Sequence, residues 1–486
     1  TFDAPALRAQ AGPGHPPVIT LDGTPLRILG ALEILGPGAD VLAIDAGGRC
    51  RVLEVYADGG VEVSGVTITG GCSAHPGGGV YSVATLTLRD AAVRGNASAS
   101  FGGGLCSSGA VTLTDVTVSG NASGNCGGGL ASLDGTATLT GCTFRDNTAR
   151  FGGGLGVLSG EAVCTGTTLS GNAATDGGAI HAGGSLTLDH VTIRGNTAAG
   201  NGGGINSLGP LTITDSVIAD NTAGYCGGGL HTTVGPAVLA NVRIHANTAL
   251  HAGGGGIYCQ QALTLANVAV TANAAATDGG GICAMTGGLT VAAGTIAANT
   301  AGRCGGGVYG YDSALVRLTN TIVALNRGAL AGNDVHGPYL STRCLLGGEG
   351  IFADPAAGDY RPAPTGAAID AALPAALPPD ACDLDADGDT AEPLPVDLAG
   401  NPRTIAAGPD IGACEHQGTP GDADRDGDVD LDDFVVLKHY FGLAADATWS
   451  MGDFDAGRTV DLDDFVCLKQ HFGAVAAGST GSPLAG

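Results

Sequence analysis

An aliphatic residue preceded by a run of small residues, nearly always glycines, recurs at Val80, Leu105, Leu130, Leu155, Ile180, Ile205, Leu230, Ile257, Ile282 and Val308. The step is 25 residues, stretching in places to 26 or 27. A second column runs in phase with the first: Asn96, Asn121, Asn147, Asn172, Asn196, Asn221, Asn247, Asn273 and Asn299, each followed by alanine or threonine. Two columns in phase define a repeat, and a unit of this length is too small to bury an apolar face alone. The units must stack on one another.

Within one unit, VTLTDVTVSGN (Val111 to Asn121) gives two short alternating β segments around a turn, and GGGLCSS (Gly102 to Ser108) gives a third. That pattern predicts three strands per coil. Stacked parallel strands lie about 4.8 Å apart, so like residues sit over like and the asparagine amides can form a hydrogen-bonded ladder. The glycine triplet suits a tight corner with positive φ. The expected fold class is all-β, a parallel β-helix of about 25 residues per coil, with a small helical module at the C-terminal end. Residues before Val80 read as opening coils and a cap.

Composition agrees with a packed chain. Glycine reaches 87 of 486 residues, yet 44% of the chain is hydrophobic, which argues for a core over disorder. Twenty Lys and Arg against 46 Asp and Glu leave a formal charge of −26. That balance disfavours nucleic acid and anionic membranes as partners and favours calcium as a counterion. No apolar run approaches the roughly 20 residues of a membrane helix, so membrane insertion is not expected. The opening TFDAPALRAQ carries no basic and hydrophobic leader, so an exported chain is expected to have lost its signal peptide. The 14 cysteines form no CxxC pair, which argues against a zinc ribbon or a thioredoxin motif.

GADVLAIDAGG, VSGVTITGG and the GNxA…GGG[LI] units resemble secreted bacterial right-handed β-helix proteins related to polymorphic outer-membrane protein repeats, over about residues 20–326. Residues 327–418 are rich in proline and alanine, and AAIDAALP, DLAGNPRTIAAG and PDIGACE resemble the closing segment of the choice-of-anchor Q family. The segment is expected to cap the β-helix, with Cys382 and Cys414 a candidate disulfide. Its DLDADGD, Asp383 to Asp389, lacks an acid at the twelfth loop position and reads as a solvated acidic turn.

Residues 419–474 hold two related segments, GDADRDGDVDLDDFVVLKHYFG and GDFDAGRTVDLDDFVCLKQHFG, each a loop of alternating aspartates running into a helix. A hard cation needs six to eight oxygens, which such a loop supplies. The candidate calcium ligands are Asp422, Asp424, Asp426, Asp430 and Asp433 with the carbonyl of Asp428, then Asp453, Asp455, Asp461 and Asp464 with the carbonyl of Thr459. Gly427 permits the first turn; Gly457 and Arg458 depart from the pattern in the second, which weakens that site. Two such units resemble a type I dockerin, and the resemblance implies calcium as cofactor and a cohesin-type module or surface scaffold as partner. The usual small hydroxyl recognition pair is replaced by Leu431 and Asp432, then by Leu462 and Asp463. Residues 475–486 read as a flexible tail.

Residues one past the aliphatic column should point outward. His181, Asn206, His231 and Tyr258 fall there on four successive coils and outline a candidate polysaccharide groove. Catalysis has less support: Asp176 and Asp278 are separated by four coils, about 19 Å, beyond the reach of paired glycosidase carboxylates. Asn96 and Asn121 begin glycosylation sequons, but the ladder itself demands asparagine there. The expectation is a secreted or cell-surface β-helix for adhesion or glycan binding. A polysaccharide lyase or hydrolase and an end-to-end self-associating fibre are the alternatives.

Overall fold

The computed structural model describes residues 17–57, 59–364, 366–380, 383–384, 388–403, 408–416, 421–423, 428–443, 451–454 and 459–474. The chain winds into a parallel β-helix, as the repeat predicts. Each coil gives one strand to each of three long sheets, of 13, 13 and 14 strands. Sheet I follows the glycines and runs from Leu26–Ile28 to Val335–His336; sheet II runs from Leu32–Leu35 to Tyr339–Thr342; sheet III runs from Val18–Thr20 to Leu345–Leu346. A fourth, two-residue strand follows the asparagine in most coils, as at Ala97–Ser98 and Thr197–Ala198, and makes two shorter sheets. This fourth element is one more than the sequence pattern predicts. Coiling also continues past Asn326, through Val335–His336 and Leu345–Leu346.

The register copies the sequence period into space. Leu105 pairs with Val80 on one side and Leu130 on the other. Alternation then sends Val111, Leu113 and Val118 inward, all buried, while Thr112 and Thr114 face out. Every coil therefore adds one ring of aliphatic side chains to a continuous core, each worth about 1.5–3 kcal/mol on burial. Phe144 fills one ring and is fully buried.

The asparagine column is a ladder of ten rungs. Asn96 Nδ2 donates to Asn121 Oδ1 at 3.0 Å, and the same bond repeats upward through Asn147, Asn172, Asn196, Asn221, Asn247, Asn273 and Asn299 to Asn326. From Asn121 on, each Oδ1 accepts the backbone N–H of the asparagine below as well, as in Asn121 N to Asn147 Oδ1 at 3.0 Å, and Asn96 Oδ1 accepts that of Gly71. Asn326 closes the ladder on a carboxylate, donating Nδ2 to Asp334 at 2.9 Å. The amides of Asn96 and Asn121 are buried in these bonds, which leaves neither sequon an accessible acceptor.

The glycine triplet meets two separate demands. Its first member takes positive φ, +64° at Gly102. Its second has no room for a side chain: a methyl on Gly103 would lie 2.3 Å from the Ala122 carbonyl oxygen. Two further corners of the coil also need the left-handed region, and there glycine alternates with other residues. One holds Gly65, Asp90, Asp115, Gly141, Gly166, His190, Asp215, Asn241 and Asn267; the other holds Gly70, Gly95, Gly120, Asp146, Gly171, Gly195 and Asp220. Asp and Asn tolerate this region better than most residues.

The remaining described residues, 341–474 with 291–295 and 318–323, form a second compact unit. Its DLAGNPR and PDIGACE stretches close on each other. Asp397 accepts backbone N–H groups of Ala399, Asn401 and Glu415, each at 2.8 Å. Asp410 accepts those of Asp370 and His416. Arg403 and Glu415, both buried, pair at 3.1 Å. Burial pushes the Glu415 carboxyl up, against the pull of the Arg403 guanidinium. These polar residues build the interior of the segment, which accounts for their close spacing in the sequence.

Candidate functional site

The structure places His181, Asn206, His231 and Tyr258 on consecutive sheet I strands, in register. They make one continuous contact path. His231 Nδ1 lies 2.8 Å from Asn206 Oδ1, and Asn206 Nδ2 lies 3.1 Å from His181 Nδ1. An amide oxygen only accepts and an amide nitrogen only donates. With the amide so oriented, His231 carries its proton on Nδ1 and His181 carries its own on Nε2. Tyr258 stacks on His231 with ring centroids 5.3 Å apart.

This column is more covered than alternation alone suggests. Asn206 is 5% and His231 7% exposed, while His181 and Tyr258 are half-buried. Two residues that precede glycine triplets, Cys126 and Phe151, fold back over the outward face of sheet I. The Phe151 ring lies 5.1 Å from that of His181, and a methyl on Gly156 would meet Cys126 Sγ at 2.3 Å. Burial lowers the pKa of His181, with the Asp176 charge working against it. Burial likewise pushes His231 down to about 4, and burial first, then the nearby Cys226 and Cys283 thiols, pushes Tyr258 up to about 12. At neutral pH the column is an uncharged hydrogen-bonding and stacking surface.

Asp176 and Asp278 sit in the covering segment on separate coils. Asp176 accepts both the backbone and side-chain nitrogens of Asn201, at 2.8 and 3.2 Å. Asp278 accepts the Cys304 N–H and pairs with Arg303 at 3.6 Å. Each carboxylate ties its own coil to the next.

The second candidate is the pair of loop–helix segments, with helices Leu431–Tyr440 and Leu462–His471. The described parts of the two halves share the same capping boxes and carboxylate hydrogen bonds. Asp430 and Asp461 cap the helices, and each forms a reciprocal capping box with Asp433 or Asp464. Asp433 accepts N–H groups of Ala423 and Asp430 at 2.6 and 2.8 Å; Asp464 accepts those of Phe454 and Asp461 at 2.6 and 2.9 Å. Thr459 donates its hydroxyl to Asp461 at 3.0 Å.

The halves interlock. Val429 exchanges backbone hydrogen bonds with Gly473 and Ala474 beyond the second helix, and Val460 does so with Gly442 and Leu443 beyond the first. Ala423, Val429, Leu437, Phe454, Val460 and Leu468 form one shared core. Beside it lie four buried carboxylates, Asp422, Asp433, Asp453 and Asp464. Burying ionised carboxylates is costly without compensating positive charge, and an all-oxygen donor set suits a hard dication. The described residues thus fit calcium. Asp424, Asp426, Asp455, Gly427, Gly457 and Arg458 lie outside the described residues, as does Cys382 of the candidate disulfide. In the acidic turn, where Asp385 also lies outside them, Asp383 accepts the Gly388 N–H at 3.0 Å and Asp389 that of Ala391 at 2.9 Å.

A third cluster escaped the sequence reading. Asp189, His190 and Asp215 meet at the corner after sheet II. The sequence signal was the alternation of Gly, Asp, His and Asn down that corner, which shows only once the coils are aligned.

The family model for a right handed beta helix region matches residues 104–274, about a third of the chain. No curated protein and no solved structure matches it. The family match and the stacked coils together support a right-handed parallel β-helix repeat protein.

Proposed function

We propose that this is a secreted or surface protein in which a stiff β-helix is displayed for adhesion or glycan binding and is docked through a calcium-dependent, dockerin-like module. The observation that carries the docking half is the internal symmetry of that module. It presents two copies of one outward face: Leu431 and Leu462, Val435 and Val466, and Phe441 and Phe472 are all exposed, in matched pairs. Apolar residues repeated on two solvent-facing helices suit a protein partner of cohesin type. The substituted recognition pair falls on that face, with Leu431 67% and Leu462 64% exposed.

The display half draws on the sheet I column. Its half-buried ends, His181 and Tyr258, offer an imidazole and a phenol to a sugar chain, and the buried Asn206 and His231 between them hold those rings in place. The acids beside it are engaged in ties between coils, which favours binding over hydrolysis.

The test is a pair of measurements on the full chain in calcium. Binding to a panel of cohesin modules is measured for the parent, for Leu431→Arg, for Leu462→Arg and for both together. With two equivalent faces, each single change leaves binding and the double change removes it. Retention on immobilised polysaccharides is measured beside release of sugar. Retention without release supports display; release moves the reading to a module-borne lyase or hydrolase; failure of both retention and cohesin binding defeats the proposal.

A further inference from the structure

The corner between sheets II and III brings together groups that the glycan and docking readings do not use. Asp189 ends strand Ser185–Asp189, His190 follows it at φ 53°, and Asp215 holds the same corner one coil on at φ 47°. One ligating atom from each, an imidazole nitrogen and two carboxylate oxygens, lies within 4.8 Å of the others. Asp189 Oδ1 is 2.9 Å from His190 Nδ1 and accepts the Thr214 hydroxyl at 2.8 Å. The Asp215 carboxylate accepts the Asn241 amide.

We propose that Asp189, His190 and Asp215 bind a first-row transition-metal dication, of which Zn²⁺, Co²⁺ and Ni²⁺ are the probes of choice. The donor set decides the class of ion. Calcium takes oxygen ligands, whereas an imidazole beside two carboxylates suits zinc, cobalt or nickel. Ligand bonds of about 2.0–2.2 Å place donor atoms roughly 3–4 Å apart, so a small closing rotation of the side chains completes the site. His190, with its side chain 67% exposed, has room to turn, and Asp189 exchanges its bond to His190 for the ion.

The stacking leaves an approach to the ion. The same corner in the two preceding coils is Gly141 and Gly166, which add no side chain over His190. Three protein ligands then leave a position for water or an external donor. The two carboxylates come from adjacent coils and repel one another, and a dication relieves that repulsion.

The site is tested on the full chain with calcium in excess, so that the C-terminal loops are filled and do not compete. Zn²⁺ is titrated by calorimetry and Co²⁺ by its visible absorption, for the parent, His190→Asn and Asp215→Asn. Asparagine is chosen because Asn241 and Asn267 already occupy this corner with positive φ, and an unchanged β signal in circular dichroism verifies the fold. The expected result is one strong equivalent in the parent, weakened about tenfold or more in each variant. A parent that binds neither ion below millimolar concentration, or folded variants that titrate like the parent, would overturn the site.

Discussion

The β-helix and the paired loop–helix module both stack like on like, and they bury polar side chains with opposite consequences. In the coils the repeated group is an amide, which donates to the rung above while accepting from the rung below. Repetition therefore satisfies it. In the module the repeated group is a carboxylate, as at Asp422, Asp433, Asp453 and Asp464, and a carboxylate only accepts. Its repetition concentrates carboxylates beside the shared core. The amide ladder satisfies itself by repetition; a repeated carboxylate set would suit a hard dication.

The largest expected effect divides the molecule along that line. Chelation of calcium should unfold the module while leaving the coils intact, because the free energy of binding ions to such loops is folding free energy. Circular dichroism of the full chain should lose its helical component with a β component unchanged, and calcium should restore it. A helical signal indifferent to chelator and to added calcium would erase the contrast.

The next effect transfers the charge from one region to the other. Asn196→Asp keeps the shape of a ladder rung but removes the donor that now bonds to Leu169 O, Arg194 O and Asn221 Oδ1. A buried carboxylate would then face three acceptors, at a cost of about 3–5 kcal/mol at neutral pH. The loss should shrink as pH falls and the new carboxyl protonates. Denaturant titration at pH 7 and pH 4 reads both halves of this expectation. Equal stability of parent and variant at pH 7 would mean that the ladder contributes little. Asn326, whose amide bonds to Asp334, shows that an acid is accepted where the ladder ends: burial raises the Asp334 carboxyl, with the Asn326 bonds opposing.

What was legible beforehand follows from the same stacking. Because the coils repeat in register, residues such as Leu105 and Asn121 could be placed from their columns alone, and so could the succession of His181, Asn206, His231 and Tyr258. The cover over that succession was not legible. It depends on Phe151 and its column neighbours folding back across the triplet, a contact between two parts of the repeat that no single period encodes. The second and third left-handed corners were hidden for a related reason: Asp, Asn, Ala and His share them with glycine, so no one residue type marks the turn. The module's ligands were readable as a loop pattern, whereas the exchange of backbone bonds between its halves required the fold.

His231 gives the coils a pH dependence of their own. The pKa of His231 is pushed down to about 4 from an ordinary value near 6.5. A histidine favoured neutral in the folded state contributes stability that is fully present above its unfolded pKa and is lost as pH falls from about 6.5 toward 4. The loss should reach roughly 3 kcal/mol at the acid end. His231→Gln, neutral throughout, should flatten that part of the stability profile; a profile unchanged by the substitution would assign the acid sensitivity elsewhere.

The smallest effect probes how exact the stacking must be. The third glycine of each triplet has no positive φ to satisfy; at Gly154 a methyl would stand 3.0 Å from the Ala179 carbonyl oxygen and 3.2 Å from a Leu169 methyl. Ala179 occupies the equivalent position one coil on and is fully buried there. The backbone therefore already accommodates this methyl, given a shift of a few tenths of an ångström. Gly154→Ala should change stability by about 1 kcal/mol or less, since the tighter unfolded chain offsets part of the crowding. A loss of several kcal/mol, read by denaturant titration, would show that the coils lack the slack that Ala179 implies, and that small departures in one repeat are compensated by its immediate neighbours.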